Sequence, residues 1–340
     1  MNREKPIVKN KHWTARAAWF AIRAYAIFLP AAYLLMITTG DAVPGLALVE
    51  NTIQWIGILA LPVAVYFLFA HKRIWAWFFI LSTTACYCYD YLNSNSGANA
   101  DISELGSIER KVIDTSQQLT ILSWNVGYGR ATHDEIANAI KREGTDVCGL
   151  VEVPEEFPAF AKYRLSDLYP FQIFEGEGLL RKGILSKTRI LESRTESLDN
   201  SRPWMFCSIK IGEKMLSIYL VHFSPWIAVL GRYSSDSHAL AEIRSRIKNE
   251  PVIIMGDFNS ISRSSEWKRL WHHGFRHTFR AMTGDKSYSF PVFGRYHYIP
   301  IPPILRIDAI WTKGIWTASS FIARDGGSDH LPIIADLYIP

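Results

Sequence analysis

The sequence predicts an α/β protein with a mixed sheet or sheets, preceded by three membrane-spanning helices. Three observations lead there. From about residue 119 strand-like apolar runs alternate with helical ones, two of those runs flank a tight turn as a hairpin, and three long apolar stretches crowd into the region before residue 92. A mixture of hairpins and strand–helix units cannot bury its apolar faces as a purely parallel or purely helical fold, which leaves an α/β arrangement. With 340 residues, 49% of them hydrophobic, there is ample material for a large core.

The apolar stretches are "AAWFAIRAYAIFLPAAYLLMITT" (17–39), "IQWIGILALPVAVYFLFA" (53–70) and "IWAWFFILSTTACYCY" (74–89). The second runs 18 residues without a charge, close to the minimum span of a bilayer core. The first carries Arg23 near its start, from where a long side chain can reach the headgroups. The third is short but rich in Trp and Tyr, which favour the membrane interface. Arg3, Lys5, Lys9, Lys11 and Arg16 precede the first stretch and "HKR" (71–73) joins the second to the third, whereas the loop "GDAVPGLALVEN" (40–51) has no Lys or Arg. Positive charge stays on the cytoplasmic side, so three spans place everything beyond residue 92 outside the cytoplasm. The expected organisation is a membrane anchor at 1–92, a polar linker at 93–117 rich in Asn, Ser and Gly, and a folded domain at 118–340.

Charge follows the same division. Of 37 Lys/Arg and 32 Asp/Glu, residues 1–90 hold 8 and 4, so most of the net +5 belongs to the anchor and the rest of the chain is nearly neutral. Duplex binders gain most of their affinity by neutralising phosphates with a basic stripe, so this balance argues against nucleic acid as the favoured partner. Cys86, Cys88, Cys148 and Cys207 show no metal-site spacing. They read as buried thiols, although an oxidising compartment permits a Cys148–Cys207 bridge.

In the folded domain, "LTILSWNVG" (119–127) alternates as a strand, and "THDEIANAIKREG" is a helix with Thr132 and Glu135 as a capping box and Gly144 as its stop. "DVCGLVEV" (146–153) is a second strand, and "WMFCSIKI" and "MLSIYLVHF" form a hairpin about Gly-Glu-Lys. "SSDSHALAEIRSRIKN" is a helix, followed by the strands "PVIIMGDFN", "RIDAIWT" and "HLPIIADLYI". Polar residues recur where these strands end. Asn125 closes the first, Glu152 the second, His222 the hairpin, and Asp257 with Asn259 the run 251–256; Asp308 interrupts "RIDAIWT", and Asp329 and His330 lie in "GGSDH" before the last strand. Each alone is compatible with a turn or a cap. Together they supply one Glu, three Asp, two Asn and two His at the strand ends, where α/β sheets build sites. Such a set suits an oxygen-ligated hard cation with acid/base groups, the requirement of phosphoester hydrolysis.

The ordered set "LSWNVG", "GLVEV", "ILSK", "VHFSP", "GDFNS", "RIDAIW" and "GSDHLPIIADL" resembles the endonuclease/exonuclease/phosphatase superfamily, over roughly residues 118–339, and the front of the chain is similar to its membrane-tethered bacterial members. The resemblance implies a four-layer α-β-β-α sandwich of two packed β-sheets with the site at one edge, and Mg²⁺ or Mn²⁺ as cofactor. By that resemblance Glu152 ligates the metal with Asn125 beside it, and Asp329 completes the metal side. Asp257 orients or deprotonates the attacking water next to Asn259. His330 donates to a non-bridging oxygen with Asp308 fixing its ring, and His222 contacts the phosphate or protonates the leaving oxygen. The run "GEGLLRKGILSK" departs from the pattern of apurinic endonucleases, which speaks against abasic-site repair.

Three functions follow in order of preference: a membrane-anchored phosphoesterase acting on a phosphodiester or pyrophosphate of a lipid-linked or envelope substrate, an extracytoplasmic nuclease, and a catalytically inactive membrane binding module. The segment "SYSFPVFGRYHYIPIPPILRID" (287–308), with Tyr288, Phe290, Phe293, Tyr296, Tyr298, Ile299 and Ile301, is either a loop folded onto the core or, with "PWIAVL" (225–230), an interfacial element dipping into the bilayer.

Overall fold

Two strand–helix–strand units lie at the centre of the fold. In the first, β1 (Gln117–Asn125) runs parallel to β2 (Val147–Val151), with Ile121 opposite Val147, and α1 (His133–Glu143) crosses between them. In α1 the Thr132 side chain accepts from the Glu135 amide and Glu135 reaches back to the Thr132 amide, while Gly144 ends the helix at φ +59°. In the second unit β7 (Lys214–His222) runs parallel to β8 (Val252–Asp257), connected through α3 (Tyr233–Arg246). The remaining elements are α2 (Phe157–Arg164), β3 (Phe171–Glu175), β4 (Lys182–Ser186), β5 (Ile190–Glu196), β6 (Trp204–Ile211), α4 (Ser265–His272), β9 (Arg276–His277), β10 (Asp308–Lys313), β11 (Trp316–Ile322) and β12 (Ile333–Ile339).

The computed structural model divides the chain into two units, Met1–Leu92 and Asn93–Pro340. It describes residues 117–340 apart from 199–200, 225–232, 248–250, 261–264, 280–287, 293–301 and 304, together with helical pieces between residues 19 and 35 and between 65 and 84. Much of the three predicted spans lies outside the described residues, as do the linker 93–116 and Cys86 and Cys88. Among the described residues no helix is long and apolar enough to cross a membrane. The predicted interfacial run 225–230 and Phe293, Tyr296, Tyr298, Ile299 and Ile301 are likewise outside them.

Both sheets have six strands and the same wiring. The first has the order β11-β12-β1-β2-β4-β3 and the second β5-β6-β7-β8-β10-β9, each parallel only at its central pair. Strand for strand, β12, β1, β2 and β4 therefore correspond to β6, β7, β8 and β10. Their inner faces meet in a core of Ile121, Val147, Ile184, Met205, Ile218, Leu220, Ile253, Met255 and Ile333 among others. The outer face of the first sheet carries Leu122, Trp124, Cys148 and Leu150 under Ile136, Ile140, Phe157 and Ala161 of α1 and α2. The outer face of the second carries Tyr219, Ile254 and Trp311 under Leu240, Ile243 and Leu270 of α3 and α4. This makes four layers, and burial on both faces explains why the central strands read as nearly unbroken apolar runs.

Two expectations need correction, and one open alternative is closed. The hairpin turn is Gly212–Glu213, since Ile211 already pairs with Lys214. Asp308 opens β10 rather than interrupting it, because its antiparallel partner Asp257 is the last residue of β8. Cys148 and Cys207 are both buried free thiols, as they lie in different layers, one under the helices and the other between the sheets.

Candidate active site

The wiring brings the ends of six strands to one rim. On the first sheet the sequence β12, β1, β2 presents His330, Asn125 and Glu152; on the second β10, β8, β7 presents Asp308, Asp257 and His222. Each residue meets its counterpart across the sandwich. His330 Nδ1 lies 2.8 Å from Asp308 Oδ2, Asn125 donates through Nδ2 to Asp257 Oδ2 at 3.0 Å, and His222 Nε2 lies 3.3 Å from Glu152 Oε1. The three rungs are joined to one another, with Asp257 Oδ2 3.9 Å from His222 Nε2 and 4.0 Å from His330 Nε2.

Local backbone chemistry aims these groups. Gly256, at φ +134°, permits the strand to end on Asp257; a Cβ there would stand 1.9 Å from the Val221 carbonyl oxygen. Asp257 Oδ1 accepts from the Asn259 amide at 2.8 Å, and Asn259 Nδ2 donates to Asp257 Oδ2 at 3.1 Å and to the Phe223 carbonyl at 2.9 Å. Asn125 Oδ1 accepts from the Gly127 amide at 3.0 Å, and its carbonyl accepts from Ser328 Oγ at 2.7 Å. The described non-glycine residues with positive φ are Tyr128, Glu152 and Asn259, and two of the three are site residues. A left-handed Glu costs energy that a simple turn has no reason to spend, whereas active sites collect such residues.

Burial and charge set the protonation. Asp257 is pushed up to about 7, first by burial and then by the neighbouring Asp308 charge. His330 rises to about 10, because Asp308, Asp257 and Asp329 together outweigh its burial. Its Nδ1–H is thereby given to Asp308, and Asp308 Oδ2 also accepts from Ser289 Oγ at 2.6 Å. Glu152, half-buried, is raised by desolvation. His222 falls well below the usual histidine range because burial, Arg202 and Lys182 all disfavour its charged form, and Arg202 Nη1 donates to its Nε2 at 2.7 Å. A neutral ring accepting from an arginine is suited to positioning.

A divalent cation has two donor sets here. Asp257, Asp308 and His330 bring one ligand atom each within 4.8 Å of one another, and Asp308 Oδ1 is buried with no hydrogen-bond partner. Glu152, with Asn125 beside it, offers oxygen alone, the preference of Mg²⁺. His330 is committed to Asp308 as an imidazolium, and a protonated ring has no lone pair for a metal, so the residues fit a hard cation at the Glu152–Asn125 side. Asp329 stands further out, paired with Arg130 Nη1 at 2.7 Å.

Sequence reasoning missed Arg202, Lys182, Ser289, Ser328 and Arg130. A polar residue before a strand or in a loop gives no sign of its partner across the sandwich. Only Lys182 left a trace, as a charge opening the otherwise apolar run "GILS". In the aromatic segment Phe290 bridges Leu305, and its ring stands 4.6 Å from that of His330, so this end is folded onto the site.

Comparison with known proteins agrees with this fold. The sequence model of the endonuclease/exonuclease/phosphatase family matches residues 122–330. No curated protein matches the chain. Among solved structures, an endonuclease/exonuclease/phosphatase from Beutenbergia cavernae is 18% identical over 66% of this chain and 72% of that one, with a TM-score of 0.55. D. rerio TDP2 complexed with single-strand DNA product is 17% identical over 65% and 98%, with a TM-score of 0.54. An endonuclease/exonuclease/phosphatase from Bacteroides vulgatus is 18% identical over 66% and 99%, with a TM-score of 0.51. At these identities the likeness is one of fold.

Proposed function

Since the chain belongs to the endonuclease/exonuclease/phosphatase family, we propose that it is a membrane-anchored, divalent-metal-dependent hydrolase cleaving a phosphodiester or pyrophosphate of a lipid-linked or envelope substrate. The observation that carries the hydrolytic reading is the set of three cross-sheet rungs, Asn125–Asp257, Glu152–His222 and His330–Asp308.

A phosphoester resists attack because its negative oxygens shield the phosphorus; catalysis needs positive charge and donors placed around those oxygens before water arrives. Glu152 and Asn125, with Asp329 further out, would hold a divalent cation, and that ion would supply part of the charge. His330 places an imidazolium Nε2–H at the rim, held in orientation by Asp308, ready to donate to a non-bridging oxygen as its charge grows. Asp257, raised to about 7, stands 4.0 Å from that nitrogen and is matched to take a proton from water near neutral pH. Asn259 and Asn125 hold the two oxygens of Asp257 in place, which fixes the direction of attack. His222, neutral, accepts from Arg202 through Nε2 and stands beside Glu152.

The membrane and envelope part rests on the three apolar stretches and on the charge asymmetry of their flanks, and the near-neutral balance beyond residue 90 favours a lipid-linked phosphoester over nucleic acid. A side-by-side assay with Mg²⁺ on phospholipid vesicles, a prenyl pyrophosphate and single-stranded DNA tests the substrate class. Turnover of a lipid substrate at least about tenfold above DNA, a gap of ~1.4 kcal/mol, is the expected result. Preference for DNA would replace this reading with an extracytoplasmic nuclease, and silence on all substrates with an inactive binding module.

A further inference from the structure

Past Glu152 and His222 the two sheets place two cations, Lys182 and Arg202, near each other. Beyond Glu152 the next strand of the first sheet is β4, whose first residue is Lys182, in register with Val151. Beyond His222 the next strand of the second sheet is β6, and Arg202 lies two residues before it. Because the sheets share one wiring, these two stand where the other end of the rim has Asp308 and His330: β4 corresponds to β10 and β6 to β12.

Lys182 is 1% exposed. Its Nζ donates to the Leu180 carbonyl at 3.0 Å, and among the described residues it has neither a second hydrogen bond nor an ion pair. An ammonium carries three donors, so two are unmade in a place water barely reaches. The neighbouring charge is the Arg202 guanidinium, and with burial it pushes Lys182 down to about 7. A buried ammonium with unmade donors and a like charge near it is costly, and an anion bound at Lys182 would offset that cost. Arg202 also donates to His222, which ties this pair to the rung beside the scissile position.

We propose that Lys182 and Arg202 form a second anion subsite, which holds a phosphate group of the substrate that is not itself cleaved. The inference rests on the phosphoester reading for its location in the reaction, and on Lys182's unmade donors for its chemistry. Neighbouring strands lie about 4.8 Å apart, so the subsite is roughly one strand spacing beyond Glu152 and His222. That separation places its ligand in the same molecule as the scissile phosphate. A second phosphate arises either across a pyrophosphate linkage or as the next phosphate along an oligonucleotide, and a diester with one phosphate and a neutral group leaves the subsite unused.

The test uses the full chain in detergent, with two readouts. In chelator, calorimetric titration with inorganic pyrophosphate should show binding to the wild type and a loss of about tenfold or more in Lys182→Met, while Lys182→Arg retains most of it. With Mg²⁺, hydrolysis of bis(p-nitrophenyl) phosphate, a dinucleoside pyrophosphate and a 5′-phosphorylated dinucleotide should be compared. Lys182→Met should raise KM at least about tenfold more on one of the two-phosphate substrates than on the single-phosphate one, and the substrate affected identifies the source. Equal losses on all three substrates, or unchanged pyrophosphate binding in Lys182→Met, would overturn the proposal. If Lys182→Met fails to fold, Lys182→Gln takes its place under the same criteria. Pyrophosphate binding that depends on Lys182 in a protein without hydrolytic activity would uphold the subsite and sink the hydrolase.

Discussion

At the scale of single residues, Asp308 and Lys182 occupy corresponding ends of the rim with opposite consequences. Asp308 holds His330 protonated and oriented, so Asp308→Asn should lower kcat by about 10² or more while the protein stays folded, the scale of losing a positioned acid–base group. A steady-state assay against circular dichroism checks it. Lys182 has a folded pKa of about 7 against an ordinary 10.5. Between those values the native state has released the proton that the unfolded chain keeps, so stability rises with pH across that window and the full penalty applies below about 7. Lys182→Met should therefore stabilise the protein by ~1–4 kcal/mol at pH 6 in anion-free buffer, with the gain shrinking toward pH 10. Denaturant midpoints at two pH values measure this, and a destabilised Lys182→Met at pH 6 would contradict it. The residues legible in the sequence were those at strand ends: Asn125, Glu152, His222, Asp257, Asp308 and His330 all reach the rim. Lys182 left only a trace and Arg202 none, because a lone basic residue before a strand usually faces solvent, and their partners are set by contacts across two sheets.

At the scale of elements, β8 depends on a residue with no side chain. A Cβ at Gly256 would collide with the Val221 carbonyl of the parallel neighbour β7, and flexible side chains cannot relieve a clash with backbone. Gly256→Ala should cost about 4 kcal/mol or more in urea denaturation and abolish turnover by displacing Asp257 from His222. Thr132→Ala removes only a helix cap, whose side-chain bonds go to Glu135; about 1 kcal/mol should be lost with kcat unchanged. Helix caps and apolar runs declare themselves locally, which is why α1, β1, β2 and the β6–β7 hairpin could be read in advance. The edge strands β3, β5 and β11 could not: they are half-buried or exposed along much of their length, and their partners supply the pattern they lack.

At the scale of the whole molecule, a duplicated six-stranded wiring carries a site whose two ends differ in chemistry. The proposed anchor makes its own prediction: a reporter fused after Pro340 should be found outside the cytoplasm and one inserted near Lys72 inside it, and the reverse would remove the envelope substrate. The central claim, that the rim is a metal-dependent phosphoester hydrolase, is tested most directly by following hydrolysis of bis(p-nitrophenyl) phosphate by wild type and Glu152→Gln, with Mg²⁺ and then with excess chelator. The account predicts turnover that vanishes with chelator, returns with Mg²⁺, and falls about 10²-fold or more in Glu152→Gln. Wild-type turnover that persists in chelator, or a Glu152→Gln enzyme as fast as the wild type, would contradict it.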